Sequence, residues 1–184
     1  MWSSSVTTGA ELSIAGITAK ELAKEFGTPT FFIDEADFRA RALAWNAALQ
    51  EAFGDKAGTV YYASKAFACT EVARWIKDLG IGIDVSTGGE MAVALAGGVD
   101  PKKIEVHGNN KSVAEIEKAI SVGVETIVID SMYEIDRVAT AAAKAGKVQR
   151  VLLRLTPGIE AHTHESIATA HEDVKFGFSI ASGA

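Results

Sequence analysis

Residues 104–131 read IEVHGNNKSVAEIEKAISVGVETIVIDS, and this stretch decides the fold. Two short runs rich in Ile and Val, Ile104–His107 and Thr126–Ile129, have the composition of β-strands. Between them, Ser112 and Glu115 form a capping-box signature, and the apolar residues that follow recur at helical spacing. A strand, a helix and a second strand in this order predict a βαβ unit with parallel strands, and therefore an α/β fold.

The same unit repeats on both sides of this stretch. Further strands are predicted at Thr59–Ser64, Ile81–Val85 and Arg150–Leu155. Further capping boxes are predicted at Thr18 with Glu21, Thr87 with Glu90 and Ser131 with Glu134. Before residue 58 we expect a short helix from Thr18, a strand at Thr30–Ile33, and a longer helix with Phe38, Ala42, Trp45 and Leu49 on one face.

A polar residue ends each strand of the repeat. Lys65, Asp84, His107, Asp130 and Arg154 follow one another at intervals of 19, 23, 23 and 24 residues. Such intervals fit one strand plus one crossover helix, so these residues are expected at the same edge of a parallel sheet. Two architectures remain open: a doubly wound sheet, or a (β/α)8 barrel of which this chain would be a part.

Composition excludes several classes of protein. The 184 residues are 48% apolar and 23% charged, which is typical of a globular chain, and the net charge of −6 argues against nucleic-acid binding. No apolar run approaches the ~20 residues that cross a bilayer, and the N-terminus lacks the pattern of a secretion signal. The single cysteine, Cys69, agrees with a reducing compartment, and we expect a cytoplasmic protein. Because the charge argues against nucleic acid, we expect a small-molecule partner.

Lys65 is the most informative candidate for chemistry. It follows an apolar strand, and a partly desolvated lysine holds its proton less tightly and can attack a carbonyl to form an imine. An ordinary surface lysine just beyond the strand is the alternative, and spacing does not separate the two.

Five motifs resemble one family of enzymes. In chain order they are YYASKAF at 61–67, GIGIDVSTGGE at 80–90, VHGNNKS at 106–112, VLLRLTPGIEAHTHE at 151–165 and HEDVKFGFS at 171–179. The first resembles the motif of the pyridoxal-phosphate lysine in alanine racemase-like, fold-type III barrels. The last three, taken in series, are specific to the diaminopimelate decarboxylases within that group, and the resemblance covers the chain from about residue 15.

The resemblance implies a fold and an activity. The fold would be a partial (β/α)8 TIM barrel at residues 36–184, preceded by a segment, 1–35, whose strand contributes to a C-terminal β-domain. The activity would be the pyridoxal 5'-phosphate-dependent decarboxylation of meso-2,6-diaminopimelate to L-lysine and CO2 by a homodimer. We expect this chain to be an N-terminal part that is inactive by itself. A related ornithine or arginine decarboxylase, or a non-catalytic pyridoxal-phosphate-binding barrel, is the alternative.

Four residues are expected to form the site, two of them from the resemblance (Lys65 and Arg154) and two from their places at strand ends (Asp84 and His107). Lys65 would form the Schiff base with the cofactor, and Arg154 would lie near the hydroxyl side of its pyridine ring. Asp84 would orient one of these two groups, and His107 would line the pocket. The alternatives are a structural ion pair for Arg154, a turn hydrogen bond for Asp84 or Asp130, and a structural role for His107.

Three histidines follow the fifth predicted strand of the repeat, at positions 162, 164 and 171. Their spacing invites a metal hypothesis, but metal sites need further converging ligands. Because the family uses this segment as a loop and needs no metal, we predict that the three histidines bind none.

Overall fold

The computed structural model describes residues 6–9, 11–158 and 176–180. The chain divides into two compact units, one ending at Val60 and the other beginning at Tyr61. The division expected from the sequence, 1–35 and 36–184, concerns a domain of the longer family members and stays a prediction.

The first unit combines a small antiparallel sheet with two helices. The sheet has the order β1-β2-β3, and Thr18 caps the first helix through a complete capping box with Glu21, as predicted. The hydrogen bonds of this box hold the pKa of the Glu21 carboxyl below its usual range. The elements are β1 (Val6–Thr8), β2 (Leu12–Ile14), β3 (Ile17–Thr18), α1 (Ala19–Phe26) and α2 (Glu35–Phe53).

The strand predicted at Thr30–Ile33 does not form. These residues connect α1 to α2 without regular structure. Their aromatic and β-branched side chains suit a sheet, but a strand also needs a neighbour to pair with, and composition does not report one. The strands of this unit lie instead at residues 6–18.

The second unit contains five parallel strands in the order β4-β5-β6-β7-β8. They are β4 (Tyr61–Ala63), β5 (Gly82–Val85), β6 (Ile104–Val106), β7 (Thr126–Ile129) and β8 (Arg150–Leu153). After Arg154 the chain continues as β9 (Leu155–Thr156), which pairs in parallel with β10 (Phe178–Ser179). Strand order follows chain order without reversal, which is the arrangement of a (β/α)8 barrel and differs from a doubly wound sheet.

Four helices connect these strands, and their buried faces pack on the sheet. They are α3 (Thr70–Leu79), α4 (Gly88–Ala96), α5 (Val113–Val122) and α6 (Met132–Lys144). Aliphatic side chains at alternate positions in and beside three of these strands are buried: Ile81, Ile83, Val85, Ile104, Val106, Ile127 and Ile129. No helix within 6–9, 11–158 or 176–180 combines the length and apolarity needed to cross a bilayer.

The capping boxes predicted in this unit form to different extents. Ser112 and Glu115 complete theirs, with the Glu115 amide and the Glu115 carboxylate both bonded to Ser112. Thr87 accepts from the Glu90 amide at 3.1 Å, but the Glu90 carboxylate accepts from the Ser86 amide at 2.6 Å instead. Each carboxylate therefore satisfies a free amide at the start of a helix, though not always the one expected.

The Tyr61 side chain lies near the N-terminal ends of the strands, on the face of the sheet opposite to the buried aliphatic residues. Its hydroxyl donates to the Glu125 carboxylate at 2.6 Å, and Arg150 binds the other oxygen of that carboxylate at 3.0 Å. Burial, followed by this hydrogen bond, raises the pKa of Tyr61. The ring passes over Gly82, where an added Cβ would lie 2.5 Å from two ring carbons. Only glycine fits there, and Tyr61 thereby links the first strand of the unit to the fourth and fifth.

Candidate functional site

Lys65 lies in a single 3-10 turn, Ser64–Ala66, directly after β4. The last residue of β4, Ala63, is paired with Asp84 on β5, so the turn begins beside that carboxylate. Of the two surroundings that the sequence left open for Lys65, the structure shows the exposed one, because the chain turns away from the strand one residue before it. No hydrogen bond or ion pair joins its amine to another described residue.

Asp84 and His107 lie together at the C-terminal ends of β5 and β6. His107 Nε2 lies 3.8 Å from the Asp84 carboxylate and 2.7 Å from the Glu105 carboxylate. Burial raises the pKa of Asp84, and the charges of His107 and Lys65 oppose that rise. The site therefore contains an acid whose ionised form depends on a neighbouring cation.

Arg154 lies at the point where one strand changes its partner. Its amide donates to the carbonyl of Ile129 on β7, and its carbonyl accepts from the amide of Phe178 on β10. The guanidinium is 3.5 Å from the Asp130 carboxylate and lies over the Phe176 ring, 4.2 Å from the ring centre. These contacts fix the side chain as a cation at the edge of the sheet.

Asp130 is the buried anchor of this arginine. The residue is 5% exposed, and its second carboxylate oxygen accepts from the amide of Gly177 at 3.1 Å. Gly177 has φ +73°, and a Cβ there would lie 2.6 Å from the Arg154 carbonyl oxygen, so glycine is required for this approach. The structural ion pair weighed for Arg154 therefore exists, and it holds the arginine in the site.

One cleft of about 770 Å³ brings the four predicted residues together. Lys65, Asp84, His107 and Arg154 all line it, as expected from strand ends that share one edge. The volume lies within the range of about 300–1,000 Å³ that small-molecule sites occupy. Three carboxylates, of Asp84, Glu105 and Glu115, also line the cleft. The exposed amine of Lys65 and the guanidinium of Arg154 suit a small anionic ligand that carries a reactive carbonyl.

The sequence interpretation missed several contributors to the cleft. Glu105 holds His107, and its position two residues earlier on the same strand face was a usable signal. Phe176, two residues before β10, also lines the cleft, and no local pattern indicates that contact. The loop of Gly108, Asn109 and Asn110 also lines it.

The three histidines at 162, 164 and 171 lie outside the described residues, so their prediction stays open. Among 6–9, 11–158 and 176–180, no group of three or more His, Cys, Asp or Glu side chains is arranged to hold a metal ion.

A parallel barrel sheet with a lysine after its first strand and an arginine at its fifth defines a class: (β/α) barrels that hold a small carbonyl compound at the strand ends. The family described as "Pyridoxal-dependent decarboxylase, pyridoxal binding domain" matches residues 35–184. The chain belongs to this family.

Two curated relatives carry the name diaminopimelate decarboxylase. The chain is 58% identical over 171 residues to the diaminopimelate decarboxylase of Mycobacterium tuberculosis, a match that covers 93% of this chain. It is 46% identical over 173 residues to that of Corynebacterium efficiens, covering 94%. It spans 37% of the length of each of these relatives.

Solved structures give the same result for the fold. The diaminopimelate decarboxylase of M. jannaschii in complex with L-lysine superposes with a TM-score of 0.83 and 30% identity. This match covers 98% of the present chain and 42% of that one. The expected partial (β/α)8 barrel of the pyridoxal-binding type is confirmed.

Proposed function

We propose that this chain forms the pyridoxal-binding part of a diaminopimelate decarboxylase, which converts meso-2,6-diaminopimelate to L-lysine and CO2. The observation that carries the proposal is the convergence of Lys65, Asp84, His107 and Arg154 on one cleft. The diaminopimelate decarboxylases among the relatives, with up to 58% identity over nearly the whole chain, support the choice of substrate.

Pyridoxal 5'-phosphate fits the side chains of this cleft. The Lys65 amine is exposed and unpaired among the described residues, so it is free to bond covalently to an aldehyde. When bound, the cofactor supplies an electron sink for the carbanion that remains after CO2 leaves. Lys65 would hold it, and Arg154, Asp84 and His107 would surround it.

Each side chain of the site has a role that follows from its contacts. Arg154 presents a fixed positive charge, because Asp130 and Phe176 hold it on two sides. Asp84 accepts a proton more readily than an exposed aspartate, since burial raises its pKa. The positive charges of His107 and of Lys65 oppose that rise.

The test is substrate-dependent CO2 release by the full-length protein loaded with pyridoxal 5'-phosphate. We expect release from meso-diaminopimelate, and little from ornithine, arginine or lysine. A preference for ornithine or arginine would replace the proposed substrate. Cofactor binding without any CO2 release would indicate the non-catalytic alternative.

Two further parts of the proposal concern assembly and location. The homodimer is supported by the family resemblance, and light scattering of the full-length protein should give twice the chain mass. A cytoplasmic location is supported by the single cysteine of this sequence, and fractionation of cells tests it.

A further inference from the structure

A buried ion pair lies beneath the cleft and takes no part in lining it. Lys111 and Glu134 are 3% and 2% exposed, and Lys111 Nζ is 3.0 Å from Glu134 Oε2. Lys111 follows β6, and Glu134 lies in the first turn of α6. The capping box predicted for Ser131 and Glu134 is wrong, because the Glu134 carboxylate binds the Lys111 amine and two backbone amides, neither of which belongs to Ser131.

The remaining hydrogen bonds of the pair all go to the backbone. Lys111 Nζ donates to the carbonyls of Gly108 at 2.5 Å and Val128 at 2.7 Å. The Glu134 carboxylate accepts from the amides of Asp130 at 2.9 Å and Lys111 at 3.3 Å. The pair thus joins the loop after β6 to the end of β7 and to the residue that follows it.

The backbone groups bonded by Lys111 and Glu134 lie beyond the last residue pair of the β6–β7 ladder. The pairing of β6 with β7 includes Glu105 with Thr126 and Val106 with Ile127. Beyond Val106 the chain turns into the loop that lines the cleft, and Gly108 enters it with φ +105°. Lys111 and Glu134 supply cross-links there in place of ladder hydrogen bonds.

Stability alone is a poor explanation for such a pair. Removing two charges from water costs about as much as their attraction returns, and apolar residues of similar size often serve a core equally well. This pair connects two segments that carry site residues: the loop after His107, and Asp130, which holds Arg154.

We propose that Lys111 and Glu134 are positioning residues, which set the place of the 107–110 loop and of the Asp130–Arg154 pair around the cofactor. The inference rests on the proposed function, since the effect of moving the loop or the Asp130–Arg154 pair would be measured as a change in cofactor binding. Lys111 acts through the Gly108 carbonyl, and Glu134 acts through the Asp130 amide.

The test compares this pair with a second ion pair, which joins α5 to α6. Glu117 on α5 and Lys144 on α6 form an exposed pair at 2.8 Å and do not line the cleft. We would prepare Lys111→Met and Glu134→Gln in the full-length protein, with Lys144→Met and Glu117→Gln as matched controls. Glu134→Asp is a milder variant, because it keeps the charge and shortens the side chain by one methylene.

The readout is the dissociation constant for pyridoxal 5'-phosphate and the absorbance of the bound form, measured well below each variant's unfolding midpoint. We expect Lys111→Met and Glu134→Gln to bind about tenfold to a hundredfold more weakly, with Glu134→Asp between them and wild type. The controls should stay within about twofold, because exposed pairs contribute little. A purely structural pair would lower the midpoint and leave the affinity of the folded protein unchanged, and that result would overturn the proposal.

Hydrogen exchange in the cofactor-free protein separates this proposal from the proposed function. The amides of Lys111 and Asp130 should exchange faster in Glu134→Gln than in Glu117→Gln. If wild type fails to bind pyridoxal 5'-phosphate, the proposed function is wrong, while unchanged exchange at these two amides would reject the positioning role by itself.

Discussion

Replacing Gly82 by alanine should destabilise the second unit by forcing the Tyr61 ring aside. The new Cβ would lie 2.5 Å from two carbons of that ring and 3.1 Å from the carbonyl oxygen of Lys103. Carbon atoms pack best at about 3.5–4.0 Å, so the ring must move by about 1 Å or more. That movement would break or stretch the 2.6 Å hydrogen bond from Tyr61 to Glu125.

The magnitude follows from three contributions. Overpacking a core costs about 1–3 kcal/mol, and a hydrogen bond to a charged group contributes about 1.5–3 kcal/mol. The lower entropy of the unfolded alanine chain offsets about 0.4–1 kcal/mol. We therefore expect the free energy of unfolding to fall by about 2–5 kcal/mol.

Urea unfolding of the full-length protein, followed by circular dichroism, measures this change. Gly89→Ala in α4 is the matched control, because its nearest atom would be 3.8 Å away, and it should be neutral or stabilising. The same Gly82 substitution in a Tyr61→Leu background should cost less, since the ring is gone. Equal costs for Gly82→Ala and Gly89→Ala would refute the reasoning.

Three further predictions concern the site. Burial raises the pKa of Asp84 in the folded protein, so the ionisation of Asp84 opposes folding as pH rises above about 4. Asp84→Asn should therefore gain stability relative to wild type between about pH 4 and 7. Urea unfolding measured at each pH would report the gain. Arg154→Ala should weaken pyridoxal 5'-phosphate binding and leave Asp130 with an unpaired buried charge, yet labelling at Lys65 should persist; complete loss of the label would contradict this. Elemental analysis of purified protein should show no bound zinc, and one tightly held zinc per chain would contradict the prediction for the histidines at 162, 164 and 171.

Much of the sheet was predictable because its strands and helices repeat. Each strand run in the second unit carries Val, Ile, Leu or Tyr, and each crossover has apolar residues at helical spacing. The choice between barrel and doubly wound sheet was not predictable, because both use the same βα units. Strand order decides it, and strand order depends on contacts between segments far apart in sequence.

The errors share a physical cause. The aromatic run at Thr30–Ile33 has strand composition but no strand beside it. Glu134 has the spacing of a capping box, but Lys111, 23 residues earlier, offers it a buried positive charge. The absence of a partner among the described residues decided the first outcome and a distant partner decided the second, and local sequence reports neither.

Sequence could predict that the four candidate residues lie in one cleft because of the geometry of parallel strands. Parallel strands bring their carboxyl ends to one edge, so a polar residue at the end of each strand was enough to predict one cleft. The surroundings of Lys65 were not predictable, because a single turn after Ala63 exposes a side chain that a longer strand would have kept against its neighbours.

The most direct test of the account is the identity of the lysine that binds the cofactor. The full-length protein would be incubated with pyridoxal 5'-phosphate, reduced with borohydride, digested and mapped by mass spectrometry. The account predicts a pyridoxyl group on Lys65, and loss of that label and of the yellow absorbance in Lys65→Ala. A label on another lysine, such as Lys111 or Lys175, with Lys65 unmodified, would contradict the proposed site and the chemistry assigned to it.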